Sequence, residues 1–120
     1  MRLIGSLSEQ KFREQLAASQ RSLLVLHNFP SLLACLQKHF PQISSALILE
    51  WTPEQLEDIY DVLINGTQVA TLKIAKGGDE IEFSVESAED YAGKLKGRPS
   101  KIQFAVALDL AHSGAPVGKP

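Results

Sequence analysis

The sequence predicts an α+β fold, with N-terminal helices packed on one face of a mostly antiparallel sheet of four to five strands. Apolar residues have helical spacing before Pro41 and alternate with polar residues further along, and Asn65-Gly66 joins two alternating segments. The 120 residues, 44% of them hydrophobic, are the size of one domain. We expect this domain to span residues 1–112 and the Gly- and Pro-containing residues 113–120 to form a flexible tail.

The first helix is predicted over residues 8–20. Ser8 is a suitable N-cap, and Phe12 and Leu16 lie four residues apart on what would be the buried side. The apolar run at 22–27 is compatible with either a helix or a short buried strand, and we interpret it as the end of this helix. A break at Asn28-Phe29-Pro30 then precedes a second apolar helical stripe.

That second stripe predicts a largely buried helix that Pro41 ends. Its apolar positions recur at helical spacing from Leu32 to Phe40. The helix also carries Cys35 and His39, one turn apart.

Strands are predicted from residue 46 onward. Residues 56–64 combine helical spacing with like-charge pairs that would disfavour a helix. The Asn-Gly pair that follows is a strong hairpin motif and favours a strand there. The predicted strands are 46–51, 57–64, 67–74 and 81–85.

The C-terminal third is predicted to contain a short helix and a last strand. Ser87 begins the helix, and Gly97 and Pro99 end it. Residues 101–111 alternate in part, through Ile102, Phe104, Val106 and Leu108, which predicts a strand.

Few residues form a pattern typical of catalysis or of cofactor binding. Lys76-Gly77-Gly78-Asp79 lacks the spacing of a phosphate loop and is better explained as a turn. Cys35 and His39 have the spacing of two metal ligands, but no further ligand is evident, and a buried position for Cys35 with a boundary position for His39 is favoured. We therefore expect no catalytic residues, no metal and no cofactor.

The sequence also bears on the location of the protein and on nucleic-acid binding. The N-terminus lacks the apolar stretch of a signal peptide, and the longest apolar runs are far shorter than a membrane span, so we expect a cytoplasmic protein with no membrane partner. Four basic residues lie within 94–101, which permits contact with phosphate. The stretch is short and has no interleaved aromatic residues, so a solvated connection is favoured.

The distribution of charge gives the best indication of function. The net charge is −2, but residues 50–90 contain eleven acidic residues and only two lysines, a net charge of −9. Such a segment would attract a basic protein, and aromatic side chains inside a charged rim are common anchors. The alternative is that the acids only keep the sheet soluble and that the tryptophan is in the core. The candidate partner-binding residues are Trp51, Glu54, Glu57, Asp58, Tyr60 and Asp61.

The chain resembles the small immunity proteins that protect bacteria against contact-dependent inhibition toxins and nuclease bacteriocins. The resemblance rests on its size, on Glu54–Asp61 leading into the Asn65-Gly66 hairpin, and on the closing segment Ile102–Leu110. It implies a non-enzymatic inhibitor that covers the active site or substrate surface of a basic toxin, often a nuclease.

Two further hypotheses stay open on the sequence. One is a small-ligand-binding or enzymatic domain with a cleft between helices and sheet, near Cys35 or His39. The other is a nucleic-acid regulator that uses Lys94 to Lys101, which would bind in a salt-sensitive way.

Overall fold

The computed structural model describes residues 6–77 and 80–113 of the chain. The helices and strands of this part, in chain order, are α1 (Leu7–Gln20), a π-helical turn (Arg21–Val25), α2 (Pro30–His39), β1 (Ala46–Pro53), β2 (Glu57–Ile64), β3 (Gln68–Ala75), β4 (Ile81–Ser87), α3 (Ala88–Lys94) and α4 (Arg98–His112). The α+β fold and the predicted antiparallel sheet are confirmed. The predicted tail falls almost entirely outside the described residues.

The sheet is a four-stranded meander in the order β1-β2-β3-β4, antiparallel throughout. The predicted Asn-Gly turn joins β2 to β3, with positive φ angles of 53° at Asn65 and 71° at Gly66. The Asn65 side chain also fixes the entry to β1, because its Oδ1 accepts hydrogen bonds from the backbone N–H groups of Ser44 and Ser45 at 2.8 and 3.0 Å. The hairpin therefore sets the register of three strands.

The helices divide between the two faces of the sheet, where the sequence led us to expect them on one. Neighbouring residues of a strand point to opposite faces, and buried neighbours such as Val62 and Leu63 belong to two different core clusters. Helix α2 packs on the face that contains Val62, which we call the α2 face. Helices α1 and α4 pack on the face that contains Leu63, which we call the α4 face. The near-continuous apolar runs in the strands reflect this burial on both sides.

The N-terminal helices begin and end close to where the sequence predicts. The N-cap of α1 is Ser6, two residues before the predicted Ser8, and it forms a capping box with Glu9. The apolar run after α1 continues as the π-helical turn, which confirms that it is a helix end and not a strand. Helix α2 begins at Pro30, the last residue of the predicted break.

The predicted strand at 101–111 is wrong, because these residues form most of α4. Pro99 lies in the first turn of this helix, where its missing N–H costs no hydrogen bond, so it begins a helix instead of ending one. The alternation of apolar residues misled the assignment, since Phe104 and Ala107 are also buried at helical spacing. Helix α4 packs against α1 and β1.

The outer edge of β1 is closed by side chains from the helices. The backbone N–H of Ala46 donates to Gln20 Oε1 at 2.8 Å, and that of Ile48 donates to Ser19 Oγ at 3.1 Å. Gln103 Nε2 donates to the carbonyl of Leu49 at 2.9 Å. The first half of β1, from Ala46 to Leu49, therefore has little capacity left to pair with another strand.

None of the helices within the described ranges is both long and apolar enough to cross a membrane.

Candidate functional site

The predicted binding residues lie on the β1–β2 hairpin, and the structure divides them between the two faces of the sheet. A β-bulge between Ile48 and Glu50 shifts the register, after which Glu50 pairs with Asp61 and Trp51 pairs with Tyr60. Trp51 and Tyr60 thus lie on the α2 face, whereas Glu50 and Asp61 lie on the α4 face. The acidic segment is not one continuous surface.

Trp51 is the most prominent exposed aromatic side chain of the hairpin. It is 52% exposed, yet its ring stacks on Tyr60 with centroids 6.0 Å apart and an interplanar angle of 9°. The edge of Phe29 contacts both rings, with centroids 6.0 Å away in each case. Tyr60 is only 7% exposed, so it supports Trp51 from beneath and is not itself an accessible anchor.

Asp58 orients the indole from the neighbouring strand. Its Oδ1 accepts a hydrogen bond from Trp51 Nε1 at 3.2 Å and lies 3.8 Å from Lys76 Nζ. Burial, and then the charge of Asp58, raise the pKa of the Tyr60 hydroxyl. Glu54 is exposed in the turn beyond Trp51. Four residues in mutual contact form what we call the Trp51 cluster: Phe29, Trp51, Asp58 and Tyr60.

The other predicted acids lie on the half of the α4 face that the short helix α3 borders. By strand alternation and register, five carboxylates occupy it across β1, β2 and β4. Lys73 is the only basic residue of the four strands on this half of the sheet. We call it the acidic face, and its carboxylates are Glu50, Glu57, Asp61, Glu82 and Glu86.

Tyr91 of α3 marks the centre of the acidic face. Its hydroxyl donates to Asp61 Oδ2 at 3.1 Å, while Thr71 Oγ1 donates to Asp61 Oδ1 at 2.8 Å. Burial raises the pKa of Tyr91 strongly, and the charges of Asp61, Glu50 and Glu86 raise it further. The three carboxylates are therefore close enough to act on one hydroxyl.

Asp61 has an internal role that the sequence did not show. Both of its oxygens accept hydrogen bonds from neighbouring elements, so it ties α3 and β3 to β2. Glu86 is also paired, since its Oε2 lies 2.7 Å from Lys94 Nζ. Among the acids of this face, Glu50 and Glu82 are the more exposed.

A cleft of about 620 Å³ opens between α2 and the β3–β4 side of the sheet. Cys35 and His39 line it, together with Phe83, on which the imidazole of His39 stacks at 4.0 Å between centroids. His39 Nδ1 lies 2.9 Å from the carbonyl oxygen of Cys35 and 3.7 Å from its Sγ. A carbonyl can only accept, so Nδ1 carries the proton in this bond and cannot take one from the thiol. Burial also raises the pKa of Cys35, which is the opposite of an activated thiol.

The basic stretch at 94–101 does not form one loop. It includes the last residue of α3, a three-residue connection and the first turn of α4. Lys94 is engaged with Glu86.

Some residues of these sites had no recognisable pattern in the sequence. Phe29 was interpreted only as part of a chain break, although it contacts Trp51 across the fold. The division of the acids between two faces depends on the β-bulge in β1, and no residue near the bulge indicates it in the sequence. The positive φ at His27, 55°, likewise had no sequence indication.

Within the described residues, no three His, Cys, Asp or Glu side chains come close enough together to hold a metal ion. Comparison of the chain with protein-family models, with curated proteins and with solved structures gave no match in any of the three cases.

Proposed function

We propose that this protein is a non-enzymatic binding domain that engages a basic protein partner through the β1–β2 hairpin. The observation that carries this proposal is Trp51, a large side chain that is half exposed and yet fixed by Tyr60, Phe29 and Asp58. An aromatic side chain that is already ordered loses little conformational entropy when a partner covers it. Tryptophan is among the residues that contribute most to protein interfaces.

The charge around the hairpin supports a basic partner. Asp58 lies beside Trp51, Glu54 is exposed directly after β1, and the acidic face occupies the opposite side of the same strands. This field would steer a positively charged protein toward the hairpin and accelerate association. Charge would mainly set the association rate, and Trp51 would mainly set the lifetime of the complex.

In its specific form, the proposal is an immunity protein that neutralises a bacterial toxin by covering its basic surface. The resemblance of the sequence suggests this form, and the neighbouring genes of the source genome test it. A toxin encoded beside this gene should stop the growth of a bacterial host, and co-expression of this protein should restore growth. If this protein does not restore growth of cells that express any of the neighbouring genes, the toxin-neutralising role is contradicted.

The same assay tests the hairpin. We expect Trp51→Ala to abolish rescue and to weaken binding to the purified partner at least tenfold, and Glu54→Lys to slow association. Leu7→Ala removes an even more exposed apolar side chain, from α1, and serves as the matched control. Equal loss in both variants, or none in Trp51→Ala, would contradict the role of Trp51.

The cleft beside α2 supports a second candidate function, the binding of a small ligand. Its volume, about 620 Å³, is in the range of small-molecule sites, and His39 and Phe83 form an aromatic wall. A ligand that enters this cleft would slow the alkylation of Cys35 by iodoacetamide. Unchanged alkylation in the presence of a metabolite extract would count against this function.

A further inference from the structure

The outer edge of β4 differs from the closed edge of β1. Two backbone bonds fix which groups of β4 face outward: Ala75 N–H donates to the carbonyl of Glu80, and Ala88 N–H donates to that of Thr67. Since the backbone of alternate residues points to the same side, the even-numbered residues of β4 face β3. The N–H and C=O groups of Ile81, Phe83 and Val85 therefore point away from the sheet.

No hydrogen bond from the described ranges 6–77 and 80–113 reaches these outward backbone groups of β4. The strand is seven residues long and carries neither a proline nor a bulge, the features that usually prevent pairing at an edge.

The side chains of β4 are strictly divided between its two sides. Ile81 and Val85 lie on the α2 face, each 40% exposed, with half-buried Phe83 between them. Ile81 and Phe83 also line the cleft beside α2. On the opposite side, the Glu82 side chain is 82% exposed and lies 4.0 Å from Lys73 Nζ, its only ion pair within residues 6–77 and 80–113. An added strand would meet apolar groups on one side and carboxylates on the other.

We infer that β4 is a docking edge for an extended segment of a partner protein in which basic and apolar residues alternate. Its main chain would pair with Ile81, Phe83 and Val85, its apolar side chains would extend the surface beside the cleft, and its Lys or Arg side chains would lie opposite Glu82 and Glu86. This surface is at the far edge of the sheet from Trp51, so the inference goes beyond the proposed function and does not depend on it.

A second copy of this chain is a poorer occupant of the same edge. Full-length antiparallel pairing of two β4 strands is centred on Ser84 and places Glu82 of each copy opposite Glu86 of the other. Like charges directly opposite each other destabilise a strand pair. Glu86 is already paired with Lys94, so Glu82 is the main charge that opposes self-association and favours a basic strand.

The test uses the full chain and a labelled nine-residue peptide of alternating Lys and Val, with a Glu-Val peptide as the control. We expect the Lys-Val peptide to bind, and hydrogen exchange at the amides of Ile81, Phe83 and Val85 to slow when it does. Val85→Pro removes one outward N–H without removing a bond to β3, so the fold is retained and peptide affinity falls at least tenfold. Val85→Ala keeps this N–H and should lose less affinity for the peptide.

Charge reversal tests the other side of the strand. Glu82→Lys should weaken binding of the Lys-Val peptide several-fold and allow the Glu-Val peptide to bind. If Val85→Pro and Val85→Ala bind the Lys-Val peptide with equal affinity, the peptide is held by charge alone and not by strand pairing, which would overturn the inference. A dimer of the free protein in sedimentation that Val85→Pro dissociates would overturn the choice of occupant.

Discussion

Asp61 illustrates, at the scale of single residues, how a carboxylate in an acidic segment can be structural. The sequence places it among the candidate binding residues, but Tyr91 and Thr71 occupy both of its oxygens. A buried hydrogen bond to a charged acceptor typically contributes more than a neutral one. The contribution of Asp61 to partner binding is therefore through the field of the acidic face and not through a free side chain.

Removing the Tyr91 hydroxyl tests this role. Tyr91→Phe should lower the free energy of unfolding by about 1 kcal/mol at pH 8, measured by urea denaturation. The pKa of Tyr91 is raised in the folded protein above its usual 10.0. Its neutral form therefore stabilises the fold fully below pH 10, and this contribution is lost as pH rises above 10, where the unfolded chain ionises first.

The difference in stability between wild type and Tyr91→Phe should accordingly shrink as the pH rises above 10. Groups that titrate alike in both proteins cancel in this difference. A difference that stays constant over this range would mean that Tyr91 ionises normally in the folded state.

The two edge strands show, at the scale of elements, how helices determine which part of a sheet stays open. Strand β1 is closed by Ser19 and Gln20 of α1 and by Gln103 of α4. These polar residues would be ordinary surface residues in isolated helices. Their role comes only from the way the helices lie along β1.

The Gln20 contact gives a prediction about that edge. Ala46 is fully buried, so Gln20→Ala would leave its N–H without an acceptor and should cost roughly 1–2 kcal/mol of unfolding free energy. Gln20→Glu keeps an oxygen acceptor at the same distance and should cost less. Faster hydrogen exchange at Ala46 only in Gln20→Ala would assign the loss to this contact, and equal stability of the two variants would contradict it.

Element type could be predicted from the sequence wherever local geometry decides it. The Asn65-Gly66 turn predicted β2 and β3, and Asn28-Phe29-Pro30 predicted the break before α2, because both depend on the backbone angles of single residues. Helix α4 was missed because its apolar residues fit both the alternation of a strand and the spacing of a helix. The bulge in β1 and the position of Phe29 against Trp51 could not be predicted, since they depend on tertiary packing.

At the scale of the whole molecule, the negative charge in the middle of the sequence is concentrated on the sheet. Residues 50–90, with their net charge of −9, include the whole of β2, β3 and β4. Most basic residues lie outside this segment, on the helices and connections. The only ion pair between two helices of the described chain joins Arg13 and Asp109, at 2.9 Å. The acidic face therefore has little positive charge to balance its carboxylates.

This arrangement costs stability at one identifiable place. Glu50 lies directly opposite Asp61 in the β1–β2 ladder, and both are acidic. Like charges in such a cross-strand position destabilise the pair by roughly 0.2–1 kcal/mol. A basic partner would remove this repulsion when it binds, so the strain in the free protein favours the complex.

Glu50→Gln should consequently raise the free energy of unfolding by about 0.5 kcal/mol at low salt, measured by urea denaturation. The gain should disappear in about 0.5 M NaCl, because salt screens the repulsion that the substitution removes. Glu14→Gln, an exposed substitution on α1, is the matched control and should show no such salt-dependent gain. If Glu50→Gln is less stable than wild type at low salt, Glu50 is not repelled by Asp61 in the folded state. If it is more stable and also binds the partner more weakly, the acidic face has been retained for binding at the expense of stability.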